Sequence, residues 1–269
     1  MPTINVENKA IYFETQGSGQ PLVLLHGFCE QSTVWQSSLS YLEDYRVIRI
    51  DLPGTGRSDA LEQGSVEGMA DAVYSVLNHL NIDSCLLVAH SMGGYVGLAL
   101  VEKYPHLLSG LCLFHSHPFA DDAERREARE RALAFVDKWG TKDYVQQVVL
   151  SLFAKEFKAA HADLLDQLVA SAQSIPLSGI QSWLVAMRDR PDRTEVLRQL
   201  NCPVLFIIGK LESTISYEKC LEALPLAEVV KMCILPEVNH MGMFEAPDQC
   251  WNAVTEFAEF CHHRESIPL

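Results

Sequence analysis

The chain combines two patterns of hydrophobic residues. Continuous apolar runs at 22–25, 85–88 and 204–208 are typical of strands buried on both faces of a parallel sheet. Apolar residues with helical spacing follow over 66–80 and 92–104, which predicts amphipathic helices. Strands that alternate with helices indicate βαβ units and therefore an α/β fold with a mostly parallel sheet. The same patterns predict two short strands within 4–16, strands at 46–50, 108–114 and 229–235, and a last helix over roughly 247–262.

The alternation stops after Pro118, and only helical patterns follow until about Leu197. Large apolar residues such as Trp183 recur in this segment, so we expect some of them to face the core or a ligand. The predicted organisation is a first part of an α/β core at 1–118, a helical cap at 119–197 and a second part of the core at 198–269.

Composition narrows the possible partners. The 269 residues include 21 basic and 35 acidic side chains, a net charge of −14, which disfavours binding to nucleic acid or to an anionic membrane. Eight scattered cysteines without a CxxC pair favour reduced thiols in a cytoplasmic protein. The N-terminus lacks the pattern of a signal peptide, and no apolar run is long enough to span a bilayer.

Ser91 lies between a predicted strand and a predicted helix, with Ala89 and Gly93 two positions to either side. A nucleophile on so tight a turn needs small neighbours, and the usual pattern is G-x-S-x-G. Serine is also a favoured helix N-cap, which is the alternative interpretation of the same residue.

A serine nucleophile needs a base and a carboxylate that orients the base. His240 follows the last predicted strand, and Glu212 follows the first strand after the helical segment, so both are expected at the sheet edge that carries Ser91. Asp121 and Asp122 are the alternative acids.

An oxyanion hole requires backbone N–H donors beside the nucleophile. The expected donors are Met92, which follows the nucleophile, and Phe28, in the loop after the strand at 22–25. Cys29 is interpreted as a pocket wall, because no base is predicted beside it.

Four motifs together resemble the α/β-hydrolase superfamily over nearly the whole chain. They are Leu25-His26-Gly27-Phe28, Asp51-Leu52-Pro53-Gly54-Thr55-Gly56-Arg57-Ser58, His90-Ser91-Met92-Gly93-Gly94, and His240 followed by Glu245 and Pro247. The resemblance implies an eight-stranded sheet flanked by helices, with a helical cap inserted after the sixth strand. Ala89 departs from the usual glycine, and Glu212 stands where such single-cap proteins more often have aspartate. A serine nucleophile argues against the similar haloalkane dehalogenases and epoxide hydrolases, which use aspartate.

The favoured function is a serine hydrolase that cleaves a small-to-medium, apolar ester, thioester or lactone through an acyl-serine, without cofactor or metal. The alternative is a small-molecule receptor, or a weakly catalytic binding protein, on the same fold. A metal enzyme that uses His115, His117, Asp121 and Asp122 is a third, less supported hypothesis. The oligomeric state is not indicated by the sequence.

Overall fold

The computed structural model describes residues 2–62 and 64–265, and its centre is one eight-stranded sheet. The strands are β1 (Thr3–Val6), β2 (Lys9–Gln16), β3 (Gln20–Leu25), β4 (Tyr45–Ile50), β5 (Cys85–His90), β6 (Leu108–Phe114), β7 (Val204–Gly209) and β8 (Val230–Leu235). Their spatial order is β1-β2-β4-β3-β5-β6-β7-β8. Only the pairs β1/β2 and β2/β4 are antiparallel. The predicted α/β fold with a mostly parallel sheet is confirmed.

Helices pack around this sheet. Within the described residues they are α1 (Val66–His79), α2 (Met92–Lys103), α3 (Ala123–Trp139), α4 (Lys142–Ser151), α5 (Lys155–Ala160), α6 (Ala162–Gln173), α7 (Leu177–Asp189), α8 (Thr194–Arg198), α9 (Tyr217–Ala223), α10 (Gly242–Glu245) and α11 (Pro247–Glu265). α2 packs on β3, β5 and β6, and α11 packs on β6, β7 and β8. In the part of the chain that is described, none of these helices has the length and apolar character needed to cross a membrane.

The segment between β6 and β7 is helical, as predicted, and every residue in it is described. It comprises α3 to α8, which we call the helical insert. α3 packs on α7, and α4 packs on α6. Trp183 of α7 is fully buried, whereas Trp139 at the end of α3 is 68% exposed. Only some of the large apolar residues therefore face inward.

Two short elements lack a clear signal in the sequence. A 3-10 helix covers Ser32–Tyr41, where serine, threonine and β-branched residues disfavour a regular α-helix. α9 is seven residues long, and Ser216 caps it by accepting a hydrogen bond from Lys219 N at 3.1 Å. Such short elements depend more on tertiary packing than on their own periodicity.

The sheet brings the candidate residues to one edge. β3 to β8 contain the parallel pairings, so their carboxyl ends and the loops that follow them share that edge. In open α/β sheets this is where ligands bind. All six residues of β5 are buried, and Ser91 comes directly after them.

Gly93 permits the close approach of α2 to the end of β3. A methyl group on Gly93 would lie 2.8 Å from the carbonyl oxygens of both Leu25 and His26. We predict that Gly93→Ala lowers the free energy of unfolding by about 1–3 kcal/mol, because backbone must move to make room. The control is Gly97→Ala in the same helix, where the nearest atom is the side-chain Cδ2 of Leu87 at 3.0 Å. Urea denaturation compares the two, and equal losses would contradict the prediction.

Candidate active site

The backbone at Ser91 is held in a strained turn between β5 and α2. Ser91 has φ 50° and ψ −115°, and a positive φ in a residue other than glycine costs of order 1–3 kcal/mol. Two hydrogen bonds hold the turn: Ser91 N donates to Phe114 O at 2.9 Å, and Ser116 Oγ donates to Ser91 O at 2.8 Å. The strain is therefore offset by contacts with the end of β6.

The Ser91 hydroxyl does not cap α2, although Ser91 occupies the N-cap position. Ser65 and Ser216 cap their helices by accepting an N–H bond, whereas the Ser91 side chain makes no such bond. The alternative interpretation of Ser91 as an N-cap therefore does not account for its side chain.

His240 and Glu212 are hydrogen-bonded to each other. His240 Nδ1 lies 2.9 Å from Oε1 and 2.8 Å from Oε2 of Glu212. A carboxylate accepts only, so Nδ1 carries the proton, and the lone pair of a neutral imidazole is then on Nε2. This arrangement makes Nε2 the basic atom of His240.

Glu212 is surrounded by donors. The backbone N–H groups of Thr214 and Ile215 donate to Oε1 at 3.0 and 3.3 Å, and His115 Nδ1 lies 3.1 Å from Oε2. Burial raises the pKa of Glu212, but the charge and hydrogen bonds of His240 and His115 outweigh burial and hold this pKa well below its usual range. Glu212 is therefore a carboxylate at neutral pH.

Glu245 holds the loop that carries His240, which we call the base loop (239–241). Its Oε1 accepts hydrogen bonds from Asn239 N at 3.2 Å and Met241 N at 3.1 Å, on either side of the histidine. Its Oε2 accepts one from Ala154 N, in the helical insert, at 2.8 Å. Glu245 thus joins the base loop to the helical insert.

Three further hydrogen bonds join the base loop to its surroundings. His240 N donates to Leu152 O in the helical insert at 2.9 Å. Asn239 Oδ1 accepts from Ser213 N at 2.9 Å, and Asn239 Nδ2 donates to Ser151 O at 3.0 Å. Asn239 therefore connects the loop of Glu212 with the end of α4.

The expected oxyanion donors lie close to Ser91. A Cβ on Gly27 would be 3.1 Å from Ser91 Cβ, so the loop after β3 passes directly beside the serine. Met92 N is at the amino end of α2, where the helix dipole favours negative charge. Among residues 2–62 and 64–265, neither Phe28 N nor Met92 N has a hydrogen-bond acceptor. Both N–H groups can therefore serve a substrate oxygen.

Cys29 follows Phe28 with φ 62° and is buried. Burial raises the pKa of its thiol well above the usual value, and the nearby Glu30 raises it further. A thiol that stays protonated is a poor nucleophile. Cys29 also borders a cavity, as expected for a pocket wall.

Neither alternative acid is hydrogen-bonded to a histidine. Asp121 Oδ1 lies 2.8 Å from Arg190 Nη1, and its Oδ2 lies 3.2 Å from Arg129 Nε. Asp122 caps α3 and pairs with Lys219 at 3.1 Å. Of the three candidate carboxylates, the structure brings only Glu212 to His240.

The four residues of the metal hypothesis do not form one cluster. Asp121 faces arginines, and His117 Nδ1 accepts a hydrogen bond from Phe119 N at 3.1 Å. His115, Glu212 and His240 have possible ligand atoms within 4.8 Å of one another. Their hydrogen bonds account for this proximity, but these are the residues that could hold a metal ion.

A cavity of about 430 Å³ lies between the helical insert and the loops beside the candidate site. Trp183 closes the neighbouring region: its Nε1 donates to Pro53 O at 2.7 Å, and its ring lies 6.0 Å from that of Phe28. Trp183 is thus one of the large apolar residues of the insert that face the core. The lining from the insert is mostly apolar and includes Val149, Leu152, Leu164 and Leu168, and the core contributes Met241 and Phe244.

Several residues of this region escaped the sequence analysis. The sequence places His115 only in the metal hypothesis, whereas in the structure His115 is hydrogen-bonded to Glu212. Glu30 and His90 form a second buried pair, 3.1 Å apart. His90 precedes Ser91 in the chain, and that position is the one local signal that could have drawn attention to it.

Comparisons with known proteins show which family the chain belongs to. A family model described as the alpha/beta hydrolase fold matches residues 20–152. A protein of Pantoea ananatis named "Putative carbamate hydrolase RutD" is 31% identical over 215 residues, which cover 74% of this chain and 75% of that protein. The protein of the same name from Serratia proteamaculans is 34% identical over 58% of this chain, and the match spans 61% of that relative's length.

Among solved structures, a thermophilic esterase from Thermogutta terrifontis, determined with malate bound, matches with a TM-score of 0.90 and 28% identity. The match covers 97% of both chains. The chain belongs to the α/β-hydrolase family.

His117 should make stability depend on pH. Burial, followed by the charges of Arg190, Lys219 and Arg125, lowers its pKa from 6.5 to about 3. The unfolded chain therefore takes up a proton near pH 6.5 that the folded protein refuses until about pH 3, so this residue lowers stability progressively as pH falls below 6.5.

We predict that His117→Asn, whose amide oxygen can accept the Phe119 N–H bond but does not titrate, loses less stability than the unmodified protein between pH 7 and pH 4. Urea denaturation across this range measures the difference. Parallel curves for the two proteins would contradict the prediction.

Proposed function

We propose that this hydrolase acts through Ser91, with His240 as base and Glu212 as the acid that orients it. The protein is a hydrolase that acts on ester bonds, and the finer proposal is an acyl-serine intermediate. The observation that carries the proposal is the 2.8 Å contact between Glu212 Oε2 and His240 Nδ1. This contact lies at the same sheet edge as Ser91, whose hydroxyl does not cap α2.

The first half-reaction forms the acyl-enzyme. His240 Nε2 takes the proton of Ser91 Oγ as the oxygen attacks the carbonyl carbon of the ester. The carbonyl oxygen becomes an oxyanion that the N–H groups of Phe28 and Met92 stabilise. When the tetrahedral intermediate collapses, the C–O bond to the alcohol breaks, and the alkoxide leaves with the proton held by His240.

The second half-reaction releases the acid. His240 removes a proton from water, and the resulting hydroxide attacks the acyl-serine carbonyl. Collapse breaks the bond to Ser91 Oγ, which recovers its proton from His240. Glu212 stays ionised throughout and stabilises the imidazolium that forms twice per cycle.

The helical insert serves as the cap in this proposal, with 1–118 and 198–269 forming the core. The cavity of about 430 Å³ borders Cys29 and Met241, which follow Phe28 and His240 in the chain. Its apolar lining supports a small-to-medium acyl group as the occupant. The esterase from Thermogutta terrifontis, with the same fold over 97% of both chains, supports a carboxylic ester as substrate.

The nucleophile can be tested directly with p-nitrophenyl esters and a fluorophosphonate probe. We expect one adduct per chain on Ser91, and we expect Ser91→Ala to lose both labelling and at least about 10³-fold in kcat. Asp166→Ala, on the exposed side of α6, is the control variant and should leave the rate unchanged. Absence of turnover and labelling in the unmodified protein would favour the receptor hypothesis instead.

The acid can be tested by comparing Glu212→Gln with Asp121→Asn on one ester. Glu212→Gln should lower kcat by about 10²–10⁴-fold, because the imidazolium loses its partner charge. Asp121→Asn also neutralises a buried carboxylate, but this carboxylate pairs with arginines. We therefore expect Asp121→Asn to lower stability without a comparable fall in kcat. A larger fall in kcat for Asp121→Asn would reject Glu212 as the acid.

A further inference from the structure

A second buried pair of ionisable groups lies directly behind the candidate nucleophile. His90 is the residue before Ser91 and is fully buried, and Glu30 is 8% exposed. Both carboxylate oxygens of Glu30 lie 3.1 Å from His90 Nδ1. The proposed mechanism assigns no step to either residue.

The pair is hydrogen-bonded at both ends to backbone of the candidate site. Glu30 Oε2 accepts from Gly27 N at 2.7 Å, in the loop that precedes the Phe28 N–H. His90 Nε2 lies 3.0 Å from the carbonyl oxygen of His240 itself. A single chain of contacts therefore runs from the oxyanion loop, past the residue adjacent to Ser91, to the backbone of the base.

The partners of His90 determine its protonation. The carbonyl oxygen of His240 can only accept a hydrogen bond, and so can an ionised Glu30. Both contacts are satisfied when both ring nitrogens of His90 carry hydrogen. Burial lowers the pKa of His90, but the charge and hydrogen bond of Glu30 outweigh this effect and raise it. Burial raises the pKa of Glu30, but His90 and Gly27 N–H hold it below its usual value.

We propose that Glu30 and His90 form a positioning ion pair that fixes the oxyanion loop and the base loop relative to Ser91. This role in catalysis rests on the proposed function, whereas the ion pair itself does not. His90 does not line the cavity proposed for the acyl group, whereas Glu30 borders it, and the role proposed for both residues acts through the two loops. Misplacement of catalytic groups by about 1 Å can cost on the order of 10²-fold in rate, so an indirect role can have a large effect.

Other ionisable groups face His90 from each neighbouring loop. They are His26 after β3, His115 after β6, Glu212 after β7 and His240 after β8. The ring of His240 is 4.9 Å from that of His90, and the ring of His115 is 6.1 Å away. In an NMR titration of this site, the signal of His90 must therefore be identified as the one that disappears when His90 is substituted.

The first experiment tests the ion pair without any substrate. In protein labelled with ¹⁵N-histidine, NMR should show one histidine that is still doubly protonated at pH 7, above the ordinary pKa of about 6.5. This signal should be missing in His90→Asn and should titrate at lower pH in Glu30→Gln. A His90 with an unprotonated ring nitrogen at pH 7 in the unmodified protein would overturn the proposal, whatever the activity.

The second experiment tests positioning by steady-state kinetics on a p-nitrophenyl ester. Active-site concentration is measured by fluorophosphonate titration, so that misfolded protein does not contribute. We expect Glu30→Gln and His90→Asn each to lower kcat by about 10²-fold with KM changed less than about threefold. The double variant should lose no more than either single variant, because both substitutions break the same chain of contacts.

Asp121→Asn is the matched control, since it neutralises one partner of another buried ion pair, with Arg190. It should lower the melting temperature but leave kcat within about threefold. The positioning role would be rejected if Asp121→Asn lowered kcat as much as Glu30→Gln or His90→Asn. It would also be rejected if the losses of the two single variants added up in the double variant. If the unmodified protein does not turn over esters, the proposed function fails, and the NMR experiment still decides whether the ion pair exists.

Discussion

Because every residue of β5 is buried, this strand can present chemistry only at the point where it ends. The same holds for β7, whose six residues are all buried. Strands enclosed on both faces consist of apolar residues, and polar groups collect in the loops at their carboxyl ends. Ser91, Glu212 and His240 follow β5, β7 and β8, so the parallel arrangement of the strands brings all three residues to the same edge of the sheet.

Burial at this edge also determines how charge is distributed. The chain carries a net charge of −14, yet its buried carboxylates each have local donors. Glu212 has two histidines, Glu30 has His90 and Gly27 N–H, and Asp121 has two arginines. An unpaired buried charge would be costly. The acidic character of the chain therefore resides on its surface and does not create an uncompensated negative field within the candidate site.

The sequence predicted the features that have a local signature. A buried strand followed by a small-residue turn and a helix located Ser91, and the order of strands placed Glu212 and His240 on one edge. Pairings between distant residues have no such signature: Glu30 and His90 are 60 positions apart, and His115 and Glu212 are 97 apart. Apolar periodicity likewise predicted a helical segment between β6 and β7, but α5 and α8 are too short to show a periodic pattern of their own.

The contacts of the base loop restrict how the helical insert can move. Ser151 O, Leu152 O and Ala154 N, at the junction of α4 and α5, are all hydrogen-bonded to residues 239–245. If this junction swung away from the core, it would withdraw the support of His240 at the same moment. The position of the base is therefore coupled to the fold of the insert at the α4–α5 junction, so a change in this junction would be transmitted to His240 through the backbone.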